Sequence, residues 1–123
     1  MGRSCWERNM VNNYIPKQGD ICYVDFDPTK GHEQQGFRPG LVVSQTSFNK
    51  VTGMAILCPI TSNDKPFVTH VLLKKTKKVK GTVLTEHVRS MDYTARNLKF
   101  VEKIDRDELE DILDLLNSII EID

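Results

Sequence analysis

The chain has 123 residues, with 17 basic and 17 acidic side chains, a formal net charge of zero and 39% hydrophobic residues. That length suits one compact domain that buries a core without disulfide or metal staples, and Cys5, Cys22 and Cys58 are an odd set without metal-ligand spacing, so they read as buried small hydrophobes in a reducing compartment. The first thirteen residues lack the apolar segment of a signal peptide and the longest apolar runs are too short to span a bilayer, so a cytoplasmic protein without a membrane partner is expected.

Charge is unevenly distributed. Between Glu102 and Asp123 nine acidic residues face two basic ones, a net of −7, which leaves residues 1–101 at +7. A basic body suits a polyanion while an acidic tail faces elsewhere; an ordinary mixed surface with a solvated acidic helix reads equally well.

Residues 1–18 form a polar lead in which fraying is expected, and residues 19–123 read as a single domain. Ile21–Phe26 alternates, with Cys22, Val24 and Phe26 on one face and Ile21, Tyr23 and Asp25 on the other, which predicts a strand with one face in the core. Leu41–Val43 suits a central strand entered at Pro39, and Asn49–Gly53 a turn leading into a strand at Met54–Cys58, so that 41–58 reads as a hairpin ended by Pro59. Phe67–Leu73 predicts a fourth strand; five lysines in the seven residues Lys74–Lys80 follow, and then a short strand at Thr82–Leu84. Glu86–Asp92 reads as a last strand. Asp105 with Glu108 marks a helix start, after which Leu109, Ile112, Leu113, Leu116, Ile119 and Ile120 recur on one helical face. Many short strands followed by one amphipathic helix predict a mainly β (α+β) fold, a small barrel or strongly curved sheet with the helix packed on it.

The stretch from Val24 to Gly40 concentrates the chemistry. His32, Glu33, Gln34, Gln35 and Arg38 crowd a connection punctuated by Pro28 and Gly31, and surface connections are where binding groups collect. Arg38 carries a permanently charged planar fork suited to a phosphodiester; the same fork could equally pin the loop to Asp25 or Asp27. Thr61 and Ser62, in a polar stretch that runs on to Lys65, offer hydroxyls to a phosphate, although they are also ordinary turn residues. His32 titrates in the right range to serve as base or acid toward a ribose 2′-hydroxyl, and Glu33 or Glu86 could take that role. His32, His70 and His87 lack metal-site spacing, and no Gly-rich phosphate loop or nucleophile elbow occurs, so chemistry without metal or other cofactor is expected. The Lys74–Lys80 cluster reads as an electrostatic arm for a nucleic acid or as a solvated loop.

The run GDICYVDFDPTKGHEQQGFRPGLVVS at Gly19–Ser44 resembles the opening of the MazF/PemK/Kid family of bacterial toxins, and the resemblance continues through Phe48–Gly53, Cys58–Ser62 and, more loosely, Gly81–Asp92. It implies a dimeric, SH3-like, partly open barrel that cleaves single-stranded RNA sequence-specifically and without metal, giving a 2′,3′-cyclic phosphate and a 5′-hydroxyl. The family's catalytic arginine falls on Arg38 and its catalytic threonine on Thr61, with His32, Glu33 and Gln34 lining the RNA groove and Ser62, Lys65, Glu86 and His87 as auxiliary positions. A cognate acidic, MazE-like antitoxin is implied as partner, with a homodimer as the working unit.

In the Kid/PemK branch an arginine and an aspartate two residues apart are implicated in cleavage, and here those positions hold Leu84 and Glu86, so the chain resembles the MazF branch more closely. Two other classes remain at this point: a CcdB-like non-catalytic toxin that inhibits a protein such as DNA gyrase, and an inactive RNA-binding module.

Overall fold

The computed structural model describes residues 14–26, 37–63 and 65–123. Among them run seven strands: β1 (Asp20–Asp25), β2 (Phe37–Val42), β3 (Met54–Thr61), β4 (His70–Leu72), β5 (Thr82–Leu84), β6 (Arg89–Asp92) and β7 (Lys99–Lys103). Helix α1 (Thr46–Thr52) joins β2 to β3, α2 (Arg106–Ile120) ends the chain, and 3-10 turns occupy Thr85–His87 and Tyr93–Ala95. All pairings are antiparallel, in the order β4-β5-β3-β2-β1-β7, with β6 also on β3. The sheet is therefore open, with β3 at its hub. One edge of β3 takes β2, and the other takes β6 from Met54 to Leu57 and then β5 at Ile60 and Thr61.

Both faces of the central strands are buried, and the alternation of side chains assigns them to two cores. Ile21, Leu41, Val43, Cys58, Ile60 and Val83 pack on one face with Ile112 and Leu116 of α2. Cys22, Val24, Phe26, Val42, Ala55, Leu57, Met91 and Tyr93 pack on the other. The expected mainly β fold with a helix packed on it is what forms. β1 differs in burying Ile21 completely, because α2 covers that end of its second face.

The segment read as a hairpin turn is helical instead. Asn49, read as a turn residue, is fully buried: its amide donates to Pro16 O at 2.8 Å, its side-chain oxygen accepts from Ser44 Oγ, and its carbonyl accepts from Tyr93 Oη at 2.9 Å. That polar hub fixes α1 where local pattern favoured a turn. β2 begins at Phe37, so Pro39 lies inside it, one residue before the ladder to β3 starts at Gly40. Pro59 does not end β3, which runs on to Thr61; it falls where the far edge of β3 passes from β6 to β5, a gap that a residue lacking an amide proton can occupy. The fourth strand is shorter than expected, and Glu86–Asp92 divides into a 3-10 turn and β6. The pattern of the sequence does not predict β7: its Phe100 and Lys103 remain exposed, so the strand shows little hydrophobic alternation.

Residues 14–18, the end of the polar lead, are tied into the domain. Gln18 N donates to Thr46 Oγ1 at 3.1 Å, Gln18 Nε2 to Val43 O at 2.9 Å, and Tyr14 Oη to Asp20 Oδ2 at 2.6 Å. Asp105 caps α2, accepting from Asp107 N at 3.0 Å and Glu108 N at 3.2 Å, while the Glu108 carboxylate turns away from the cap to accept from Lys74 N at 2.7 Å. α2 outruns the sheet, leaving Ile119 and Ile120, assigned by period to its buried face, exposed. Ile112 is 0% exposed between sheet and helix, so Ile112→Ala should destabilise the domain by about 2–5 kcal/mol in urea unfolding. A loss under about 0.5 kcal/mol would mean that α2 is not integral to that core.

Candidate functional site

β2 and β3 carry Arg38 and Thr61 toward each other. Gly40 pairs with Pro59, and the same antiparallel register continued two residues outward sets Arg38 opposite Thr61. Parity places both on the face of Val42 and Leu57, at the end of the sheet where β1 finishes, β2 begins and β3 finishes. Arg38 is exposed and Thr61 half-buried. Asn63 N donates to Thr61 Oγ1 at 3.1 Å, which orients the hydroxyl and leaves its proton for another acceptor. Two glycines make room here. A Cβ on Gly40 would stand 3.0 Å from Phe26 Cζ, and one on Gly81, whose φ is +150°, would stand 2.4 Å from Thr61 O. Only glycine lets the chain before β5 run this close to the Thr61 backbone.

Ser62 and Lys65 lie exposed on the connection that follows Thr61. Glu86 and His87 sit on the 3-10 turn after β5 rather than at the end of the sheet. The Glu86 carboxylate is already engaged: Oε1 accepts from Thr69 Oγ1 at 2.6 Å and Oε2 faces His70 Nε2 at 2.8 Å. His87 Nε2 lies 3.7 Å from the same Oε2. Burial alone would raise the Glu86 carboxyl, but the hydrogen bonds from Thr69 and His70 outweigh it and hold the group at about 2. So acidic a carboxyl is a poor proton acceptor at neutral pH, and its visible work is to pin the connection between β3 and β4.

The lysine cluster is a fixed turn. Lys77 N, Lys78 N and Val79 N all donate to the Glu102 carboxylate, at 3.0, 2.8 and 2.7 Å, and Lys80 Nζ donates to Thr76 O at 2.6 Å. Burial would raise the Glu102 carboxyl, but the Lys77, Val79 and Lys78 amides together bring it below its ordinary range. Lys75 Nζ lies 3.4 Å from Asp105 Oδ2 and 3.9 Å from Asp107 Oδ2. The acidic start of the tail thus folds against the basic body rather than facing elsewhere. Because β5 starts beside Thr61, the turn emerges at the same end of the sheet as Arg38.

A groove of about 790 Å³ runs along the β1–β2–β7 side, lined by Tyr14, Tyr23, Phe37, Leu98, Lys99 and Phe100. Phe37 and Arg38 are consecutive in a strand and point to opposite faces, so the groove and the Arg38–Thr61 row meet at a rim. Arg89, on the Arg38 side, places its guanidinium 5.7 Å from the Phe26 ring centre. Sequence reasoning does not assign Tyr23, Phe37, Phe100 or Arg89 to the site; the available signal is aromatic residues at outward strand positions, which requires β2 and β7 to be bounded correctly.

His32, Glu33 and Gln34 lie outside the described residues, as does Cys5. Cys22 and Cys58 are buried free thiols, each pushed up to about 12 chiefly by that burial. Among the described residues no His, Cys, Asp or Glu group of three or more is placed to hold a metal ion, and no helix is long and apolar enough to cross a membrane.

Fold and rim together define a small curved-sheet protein that sets an arginine and a threonine on one face at one end of the sheet. Residues 17–120 match the family model described as the PemK-like, MazF-like toxin of type II toxin–antitoxin systems. The chain is 37% identical over 111 residues to the endoribonuclease toxin MazF of Escherichia coli K12, covering 90% of this chain and 99% of that protein. It is 38% identical over 118 residues to the endoribonuclease toxin ChpB of the same strain, covering 91% and 100%. Among solved structures, MazF of Deinococcus radiodurans superposes with a TM-score of 0.79 at 35% identity, covering 89% of this chain and 100% of that one. A MazE–MazF complex from that organism matches with a TM-score of 0.77 at 31% identity, covering 90% and 100%. The chain belongs to the PemK-like, MazF-like family of type II toxins.

Glu86 is held at about 2 against an ordinary 4.5, so its bonds to Thr69 and His70 contribute stability that is fully present above about 4.5 and lost as pH falls through about 2. A carboxyl-carbon NMR titration should show this midpoint, with the Thr69–Thr85 contacts loosening over the same window. A midpoint near 4.5 would mean that the Glu86 bonds do not persist in solution.

Proposed function

We propose that this protein is an endoribonuclease that cleaves single-stranded RNA sequence-specifically and without metal, and that it acts in the cytoplasm as a homodimer restrained by an acidic antitoxin. The observation that carries this is the opposition of Arg38 and Thr61 on one face at one end of the sheet, in a chain whose family relatives bear the name endoribonuclease toxin.

In this reading the ribose 2′-oxygen attacks phosphorus, the bond from phosphorus to the 5′-oxygen breaks, and the products are a 2′,3′-cyclic phosphate and a 5′-hydroxyl. The 2′ proton passes to a base and the leaving oxygen gains one. The Thr61 hydroxyl, its oxygen already accepting from Asn63 N, donates to a phosphate oxygen and orients the group. Arg38 stabilises the extra negative charge on the five-coordinate phosphorus; its guanidinium is too weak an acid to serve as the main proton donor. With Glu86 engaged by Thr69 and His70, the base falls to His32 or Glu33. The groove beside Phe37, largely aromatic and with Lys99 in its lining, supports an antitoxin segment that is extended, partly apolar and acidic.

Purified protein incubated with a long single-stranded RNA in excess EDTA should give discrete cuts bearing cyclic phosphate, and Arg38→Ala should lower the rate by about 10²- to 10³-fold. Intact RNA from folded, antitoxin-free wild type would overturn the reading in favour of a toxin that inhibits a protein target. Affinity for a non-cleavable RNA and for an acidic antitoxin peptide should both fall as salt rises from 50 to 200 mM. Salt-independent binding of either would show that a shared cationic surface does not hold it.

A further inference from the structure

Residues 65–69, which lead into β4, are tied down by hydrogen bonds yet present apolar side chains to solvent. Thr85 Oγ1 and Thr85 N donate to Thr69 O at 2.6 and 3.2 Å, and His70 N donates to Phe67 O at 3.0 Å. The His70 ring is gripped at both nitrogens: Nδ1 lies 2.8 Å from Lys65 O and Nε2 lies 2.8 Å from Glu86 Oε2. A carbonyl and an ionised carboxylate only accept, so making both bonds requires the doubly protonated, cationic ring. On it sits Phe67, with ring centres 5.5 Å apart and planes at 56°. Phe67 is nevertheless 62% exposed and its neighbour Val68 81%.

The register says which way this faces. Leu72 pairs with Thr82 and Thr82 with Thr61, while Val71, Val83 and Ile60 point together into the α2-side core. His70, Leu72, Thr82 and Thr61 therefore share the other face, the one that bears Arg38. His70 lies two strands across and two residues along from Thr61, about 12 Å by strand spacing and rise. An exposed aromatic ring packed against the anchored His70 ring, on the face that bears Arg38 and one short connection away from Thr61, has the features of a platform for an unstacked base.

We propose that Phe67, seated on the His70 ring, is a stacking platform for a base of the RNA flanking the cleaved phosphodiester, and so a determinant of which sequences are cut. This rests on the ribonuclease reading above. His70 and Glu86 act as positioning residues, holding the Phe67 ring at a fixed height and tilt.

Two measurements test it. In steady-state cleavage of a short RNA containing one mapped site, Phe67→Ala should raise KM by about ten- to a hundredfold with kcat changed less than about threefold, and should relax preference at one flanking position. In the slowly cleaving Arg38→Ala background, at times short against the residual turnover, Phe67→Trp should add a fluorescence signal that the same RNA quenches, over a baseline set by Trp6 in Arg38→Ala alone. Wild-type KM and cut-site distribution in Phe67→Ala, with no quenching of the introduced tryptophan, would overturn the platform while leaving the ribonuclease standing. Wild type that neither binds nor cleaves RNA would overturn the ribonuclease reading and the platform with it.

Discussion

The antiparallel register between β2 and β3 is the constraint on which the rest of the molecule depends. It is held because these strands bury both faces: Leu41 and Cys58 go to the α2 side, and Val42 and Leu57 to the other. A slip of one residue would exchange the two sets and send Arg38 and Thr61 to opposite faces. The hydrophobic alternation that stabilises the sheet therefore also brings an arginine and a threonine to one rim. Exposed residues at strand ends acquire a defined relation because the buried residues a few positions inward allow only one.

The acidic residues have structural roles that a count of charges hides. Glu102 gathers three successive amides of the lysine turn, Glu108 takes the amide of Lys74, and Asp105 both caps α2 and faces Lys75. Side-chain oxygens thus supply acceptors that a nine-residue connection between β4 and β5 does not find in the sheet. Lysine side chains are left projecting from a rigid turn, so less conformational entropy is lost if they meet a polyanion. Glu86 acts in the same way beyond the far end of β5, tying Thr69 and His70 and so shaping the connection that follows Thr61.

Much of this could be read without coordinates. The alternation of Ile21–Phe26, the apolar run at Leu41–Val43 and the three-four spacing of Ile112 and Leu116 are local consequences of burial, and they mark β1, β2 and α2. Arg38 stands out by its charged planar fork, whereas Thr61, by itself an ordinary turn residue, stands out only through the resemblance to the toxin family. α1 and β7 escape sequence reasoning for opposite reasons: Asn49 looks like a turn residue until its buried partners are known, and β7 exposes so much of its side-chain surface that no alternation betrays it.

What the sequence determined by itself was the set of strongly periodic elements and the fold class, since these follow from interactions within a few residues along the chain. Tertiary structure alone decided that Arg38 and Thr61 come to one face at one rim, that Gly81 must be small to pass the Thr61 backbone, that Glu86 is bound to His70, and that Phe67 stands exposed beside that ring. The first three of these join residues from different strands or connections, separated by 16 to 23 positions in a chain whose neighbours in space are set by register and curvature. No local pattern encodes such a distance, because the free energy that selects it comes from burying two cores at once.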